Sequence, residues 1–498
     1  MSTQVYDYLL KAAAEVPDAA ALEFMGQPVT YGRLADNARK VASGLEAQGI
    51  APGASLGLML PNIPQFVEAL YGSWLHKNVV VPISVLATGP ELRYLIEDSK
   101  IKALFVFEMF LPQVEAGIAD LANPPKVFVV GNPGKHTPYG ALLENPMLVE
   151  PPTSDGRDTH VLTIYTSGTT GKPKGAVISN NNVIAQIAMA DDLFPAQPDD
   201  RSLCVLPLFH VFAMNGVLNI SIKHRTTVVL HPKFDVQAAL QSLQNDRITI
   251  FSGVPTMYFY LLKFAGPDTR FPHLRYCVSG GSALPVEVLH SWEDKFHVPI
   301  YEGYGLTETT VSVCCSREGA RRVGSVGKPY PSVQLKIVDD ANREVPTKAL
   351  GEIIVKGANI MQGYLNKPEA TAEAIVDGWL HTGDIGYVDE DGFVFIVDRK
   401  KDMIIKGGYN IYPREIEEVL YQMPQVAEAA VVGIKDEAKG EQVRAVISVR
   451  PGAELNQETV NEYLSKNLAK YKLPAEYRFV SELPKGPTGK ILKRELRN

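Results

Sequence analysis

The reading of the whole chain turns on YTSGTTGKPKG, residues Tyr165–Gly175, which packs three glycines, four Ser and Thr hydroxyls and two lysines into a span with little to bury. It follows the strand-like run VLTIY. Glycines such as Gly168 and Gly171 let a backbone turn its N–H groups toward an anion. Thr166, Ser167, Thr169 and Thr170 add donors, and Lys172 and Lys174 supply countercharge. A Walker A loop needs four residues between its glycine and its Gly-Lys pair, then Ser or Thr. Here only Thr169 and Thr170 intervene and Pro173 follows Lys172, so the P-loop NTPase reading fails. By itself the stretch reads equally well as a flexible surface loop.

Around it, from Tyr31 onward, helical patterns such as YGRLADNARKVASGLEAQ alternate with short β-branched runs, NVVVPIS and KALFVFE. That rhythm predicts a parallel α/β sheet and continues to about Ile300. Between Arg322 and Val397 it gives way to short alternating segments, VQLKIVDD, GEIIVKG and GYVDEDGFVFIVD, the last folding about an Asp391-Gly392 turn. Beyond Arg399, PREIEEVLYQM starts with Pro413 near a helix N-terminus, aligns Ile416, Val419 and Leu420 on one face, and leads into the strand VAEAAVVGI. The expected fold class is therefore α/β. A large N-terminal domain, 1–400, has parallel α/β sheets over about 1–321 and a small β-barrel-like subdomain over about 322–400; a small α+β C-terminal domain covers 401–498.

Composition narrows the partners. The 498 residues carry 49 Lys and Arg against 56 Asp and Glu, a formal charge of −7 with no long basic run, so neither nucleic acid nor an anionic membrane surface is an evident partner. Cys204, Cys277, Cys314 and Cys315 form no zinc spacing, which favours a reducing compartment and no structural metal. The first residues lack an uninterrupted apolar stretch, no later one reaches membrane-span length, and RELRN matches no retention address; the expected location is the cytoplasm.

Further motifs follow the glycine-rich loop in order: LPLFH ending at His210, GGSALP from Gly280 to Pro285, GYGLTE from Gly303 to Glu308, HTGD ending at Asp384, VDRKKDMIIKGGYNIYPREIE, and PKGPTGKIL ending at Leu492. Each is weak alone, but seven in sequence are very hard to obtain by chance. Together they resemble the signature of the adenylate-forming superfamily, which holds acyl-CoA synthetases, peptide-synthetase adenylation domains and beetle luciferases. The wording of LPLFHVFAM is most similar to fatty acyl-CoA and aryl-CoA ligases. One departure is SNNNVI, where a histidine-containing pattern is commoner.

The resemblance implies a reaction in which a carboxylic acid attacks ATP to give an acyl-adenylate and pyrophosphate, after which the thiol of coenzyme A takes the acyl group and releases AMP. It implies Mg²⁺ on Glu308, a phosphate contact from Thr307, and nucleotide contacts from Thr166, Ser167, Gly168, Thr169, Thr170, Gly171, Lys172 and Lys174. Gly280, Gly281, Ser282, Tyr304 and Gly305 would surround the adenine, while Asp384 and Arg399 would hold the ribose. Lys490 would bridge the acid carboxylate and the α-phosphate. His210 would gate an acyl pocket formed by Phe209, Ala213, Met214 and Val217, which has no fixed charge to answer an amino acid's ammonium. The C-terminal domain would be mobile, turning at Lys401 so that Gly407 and Gly408 line a channel for coenzyme A. A fatty acid is the expected substrate, with an aryl (4-coumarate-like) acid or an acyl carrier protein as acceptor the alternatives. A luciferase-like oxygenase and a turnover-free binding protein are further readings, the latter opposed by the presence of Lys490, Glu308 and Asp384. Oligomeric state has no signal in the sequence.

Overall fold

The computed structural model describes residues 3–148, 156, 158–166, 172–191, 196–406, 409–436, 440–450 and 452–497. Among them, two large sheets carry the N-terminal part. An eight-stranded sheet is centred on Val79–Pro82, Ser55–Met59 and Ala103–Phe107, and a nine-stranded sheet on Ile300–Tyr304, Tyr276–Ser279, Ile250–Gly253, Arg201–Cys204 and Thr227–Leu230. The central strands of both run parallel, as the β-branched runs predicted, and they are buried on both faces because helices cover them. The helix Tyr31–Ala47 shows why: Thr30 caps it by accepting from the Arg33 N–H at 3.2 Å, and Leu34, Ala38, Val41 and Leu45 recur at helical spacing and are fully buried. The mixed α/β class expected from the sequence is the observed one.

A third, antiparallel sheet of Gln334–Val338, Gly351–Lys356, Trp379–Val388, Ile375–Val376 and Val394–Arg399 corresponds to the segments that alternate in sequence. Two short pieces of this region belong elsewhere. Gly363–Tyr364 adds an edge strand to the eight-stranded sheet beside Lys174–Ser179, and Lys328–Pro329 closes the edge of the nine-stranded sheet. Strands of two residues carry no hydrophobic period, so nothing in the sequence announces them.

The chain leaves the third sheet at Arg399 and enters the fourth at Ile404 through a turn in which the Met403 N–H returns to Arg399 O at 3.1 Å. The fourth sheet pairs Ile404–Lys406, Tyr409–Ile411, Val426–Asp436, Gly440–Val449 and Glu476–Val480, covered by Pro413–Tyr421 and Gln457–Asn467. It has its own apolar core around Ile416, Leu420, Val431, Ile447 and Leu464. This is the small C-terminal α+β unit.

Candidate active site

A cleft of about 1990 Å³ lies where the ends of the large sheets meet the third sheet and the C-terminal unit. Its walls come from segments far apart in sequence, including Thr166, Lys172, Lys174, His210, Gly280–Ser282, Tyr304–Glu308, Asp384, Arg399 and Lys490.

Asp384 and Arg399 sit opposite each other on neighbouring antiparallel strands, and the Arg399 Nε lies 3.3 Å from Asp384 Oδ1. Tyr304 donates its hydroxyl to Asp384 Oδ2 at 2.6 Å, and the Asp384 N–H rests on Thr382 Oγ1 at 3.1 Å. Burial raises the Asp384 pKa, while Arg399 and the Tyr304 bond pull the other way. The carboxylate is thus fixed by two neighbours, and its backbone by a third, before any ligand arrives.

Thr307 and Glu308 stand on a single 3₁₀ turn, Thr307–Thr309. The approach to that turn requires glycine at 305, where a methyl group would lie 1.7 Å from Val311 O. The buried Asn359 staples the far side: its side-chain amide nitrogen donates to Thr309 O at 3.1 Å and Ser312 O at 2.7 Å, and its backbone carbonyl accepts from Thr310 Oγ1 at 2.7 Å. Tyr364, from the two-residue edge strand, donates to Glu308 Oε1 at 2.9 Å, and Lys174 lies over the ring of the same tyrosine at 5.0 Å. No cluster of three or more His, Cys, Asp or Glu that could enclose a metal occurs among the described residues. A cation at Glu308 would therefore complete its shell from ligand oxygens and water, the coordination Mg²⁺ takes with nucleotide phosphates, so the donor set fits that ion.

The first arm of the glycine-rich loop ends at Thr166 and the second starts at Lys174, and these two residues pair across an antiparallel ladder. Lys172 lies 5.2 Å from the ring centre of Tyr94. Ser167, Gly168, Thr169, Thr170 and Gly171 lie outside the described residues, as do Gly407 and Gly408. The flanking Lys406 and Tyr409 pair with each other and do not line the cleft.

Lys490 enters from the C-terminal unit. A methyl group on Gly281, whose φ is +84°, would lie 3.1 Å from Lys490 Cε and 3.7 Å from its Nζ, so the ammonium passes directly over the GGSALP backbone. Burial, with Arg399 nearby, pushes its pKa down to about 8 against the pull of Asp384 and Glu308. His210, pushed down to about 3 by burial and by Lys490, is neutral. Its Nδ1 accepts from the Phe212 N–H at 3.2 Å, which leaves its proton on Nε2.

Beside His210 the chain runs through Val211–Ala213 into a π-helical turn, Met214–Leu218. Phe209, Phe212, Gly216, Val217 and Ile220 line the cleft, opposite Ser252, Val278 and Gly303 on one face of the nine-stranded sheet. Ala213 and Met214, expected in the acyl pocket, are 0% exposed and belong to the core instead of the cleft wall, because helical phase turns positions 212, 216 and 220 together and carries 213 and 214 away. The unusual SNNNVI has a structural account. Asn182 donates to Ala358 O and Ile360 O, both at 2.8 Å, and Asn180 accepts from the Val5 N–H at 2.9 Å.

A parallel α/β body whose carboxylates and lysines converge from these motifs defines an adenylate-forming enzyme. The chain belongs to the AMP-binding enzyme family: that family's profile matches residues 9–365, and the AMP-binding enzyme C-terminal domain matches residues 415–490. It is 36% identical to a long-chain-fatty-acid–CoA ligase of Bacillus subtilis, over 98% of this chain and 93% of that one. It is also 36% identical to the fatty acid–[acyl-carrier-protein] ligase ScoC of Streptomyces coeruleorubidus, over 98% and 94%. The crystal structure of the anthranilate CoA ligase AuaEII in complex with anthranoyl-AMP superposes with a TM-score of 0.94 at 27% identity, covering 99% of this chain and 96% of that one. Among the described residues no helix is long and apolar enough to cross a membrane.

Proposed function

We propose that the protein is an AMP-forming acid–CoA ligase whose acid is a fatty acid. In the first half-reaction an oxygen of the substrate carboxylate bonds to the α-phosphorus of ATP and the bond to pyrophosphate breaks. In the second, the sulfur of coenzyme A bonds to the acyl carbon and AMP departs. The observation that carries the reading is Lys490, delivered from the C-terminal unit onto Gly281 within electrostatic reach of Asp384 and Glu308.

The division of work follows from charge. A carboxyl group with a pKa of about 4 to 5 is already ionised, so no base is needed; the difficulty is bringing two anions together. Lys490 offsets that repulsion between the carboxylate and the α-phosphate. Asp384, held by Tyr304 and Arg399, accepts from the ribose hydroxyls. The ring of Tyr304 and the backbone of Gly280–Ser282 enclose the adenine, with Gly305 keeping the next turn close. Thr307 contacts phosphate, as do Thr166, Lys172 and Lys174. Glu308 would hold Mg²⁺, which when bound supplies neutralisation of the phosphate charge. Neutral His210 stands at the mouth of the acyl pocket, where it adds no charge.

The acid is assigned from that pocket. Phe212, Gly216, Val217, Ile220 and Val278 give the cleft an apolar stretch, which supports an alkyl tail, while Asp200, paired with Arg275 at 2.8 Å, and His224 also reach the lining. The test is pyrophosphate exchange across a panel of acids. Saturated fatty acids should give the highest kcat/KM, and preference for aryl acids would replace the fatty-acid assignment by the 4-coumarate-like one. The likeness to a ligase that charges an acyl carrier protein favours a second acceptor, and free CoA against phosphopantetheinylated carrier separates the two.

The second half-reaction needs access that the Lys490 loop obstructs. The C-terminal unit would rotate at Lys401 and bring Gly407 and Gly408 to the cleft for the pantetheine arm.

A further inference from the structure

The helix Pro255–Phe264 turns one face to the C-terminal unit, with Thr256, Phe259, Tyr260 and Lys263 at i, i+3, i+4 and i+7. Thr256 Oγ1 donates to Gly489 O at 3.2 Å, one residue before Lys490. At Tyr260 the contact becomes ionic. The Tyr260 hydroxyl donates to Glu482 Oε1 at 3.2 Å and accepts from Lys485 Nζ at 3.1 Å, and the same ammonium lies 5.1 Å from the centre of the Tyr260 ring. Lys485 also reaches Glu428 Oε2 at 2.9 Å and Glu482 Oε1 at 3.2 Å.

Glu428 and Lys485 are withdrawn from water, with side chains 6% and 15% exposed. Such a pair holds its charges only when further hydrogen bonds meet the desolvation cost. Burial works against the Lys485 charge, yet its bonds to Glu428 and Tyr260 carry its pKa upward. Lys485, Glu428 and Glu482 all belong to the C-terminal unit; Tyr260 is the partner contributed by the N-terminal part. If the C-terminal unit turns away, the three charges leave together and lose Tyr260.

The loop between Lys485 and Lys490 is stiff. The Gly486 N–H donates to Lys490 O at 2.8 Å, the Gly489 N–H donates to Gly486 O at 2.9 Å, and Lys485 bridges to Ile491. Holding Lys485 therefore holds Lys490.

We propose that Tyr260 is a positioning residue for adenylate formation: by closing the Lys485–Glu428–Glu482 cluster it fixes the arrangement in which Lys490 stands in the cleft. This rests on the two-step reading above. Tyr260 is absent from the cleft lining and touches no reacting group.

The experiment uses the full-length protein with Tyr260→Ala and Tyr260→Phe. Three measurements are made: kcat and KM of pyrophosphate exchange for acid and for ATP, the rate at which CoA consumes supplied acyl-adenylate, and amide hydrogen exchange over residues 485–491. Tyr260→Ala should lower the kcat of exchange by about tenfold, as losing a hydrogen bond to a charged group would, leave both KM values and the CoA step within about twofold, and speed amide exchange in the loop. Tyr260→Phe keeps the ring beside the ammonium and should recover part of the rate. Equal loss in both half-reactions, or unchanged exchange and unchanged amide protection, would overturn the proposal. If the parent protein activates no acid at all, the enzymatic reading fails, and the amide exchange of the two variants still decides whether Tyr260 docks the loop.

Discussion

The two walls of the cleft are built on opposite plans. On the N-terminal side each acceptor is tied down: Asp384 by Tyr304 and Arg399, Glu308 by Tyr364, and the turn beneath Glu308 by Asn359. On the C-terminal side the Lys490 ammonium has no hydrogen-bond or ion-pair partner among the described residues, and its position is set by contacts that its loop makes elsewhere. One wall is finished before substrate binds, whereas the other offers a buried cation that feels Asp384 and Glu308 only at a distance. A depressed pKa is what such a difference produces, and bound phosphate should relieve it.

The largest way to break the contrast is to remove the cation. Lys490→Ala should cut adenylate formation by about 10²–10³-fold, the usual cost of losing a preorganised charge contact, while conversion of supplied acyl-adenylate by CoA stays near the parent rate. Loss of both half-reactions together would mean that the lysine holds the fold and has no selective role. The opposite lesion is Lys401→Pro. The Lys401 N–H makes no backbone hydrogen bond among the described residues, so proline removes none while it restricts φ at the turn. Exchange should persist while the CoA step slows by about tenfold or more.

A pH profile sharpens the comparison. Because Lys490 is pushed down to about 8, it is charged below that pH and loses its proton as pH rises through it. The kcat/KM for adenylation, which reports the free enzyme, should fall about tenfold per unit above that point. Lys490→Arg should start lower and lack this alkaline limb, because arginine stays charged. The smallest effect is expected on the finished wall. Tyr304→Phe removes one bond to Asp384 and should raise the KM for ATP about fivefold, as a hydrogen bond worth about 1 kcal/mol predicts, with little change in kcat.

How much of this could be read beforehand depends on whether a residue's task leaves a local pattern. Glycines at tight approaches, the aspartate after Thr-Gly and the lysine in KGPTGK stand in fixed strings, and the strings led to one cleft. Parallel strands were equally legible, because burial on both faces enforces β-branched runs such as VVVP. Asn359, Tyr364 and Tyr260 had no such string. Each works through a single contact to a residue far away in sequence, and a lone asparagine or tyrosine reads as ordinary core or surface. Ala213 and Met214 differ for another reason: the segment after His210 carries no fixed charge and its sequence does not mark a phase, whereas a helix shows only some of its positions to the cleft, and a π-turn shifts which ones.

The two-residue strand Gly363–Tyr364 has a mechanical meaning. Its backbone is zipped to the strand that bears Lys174, and its side chain grips Glu308. It ties a cation and a carboxylate to one short strand, so on the proposed reading a phosphate chain reaching Lys174 would meet a Glu308 already anchored to the same piece of backbone.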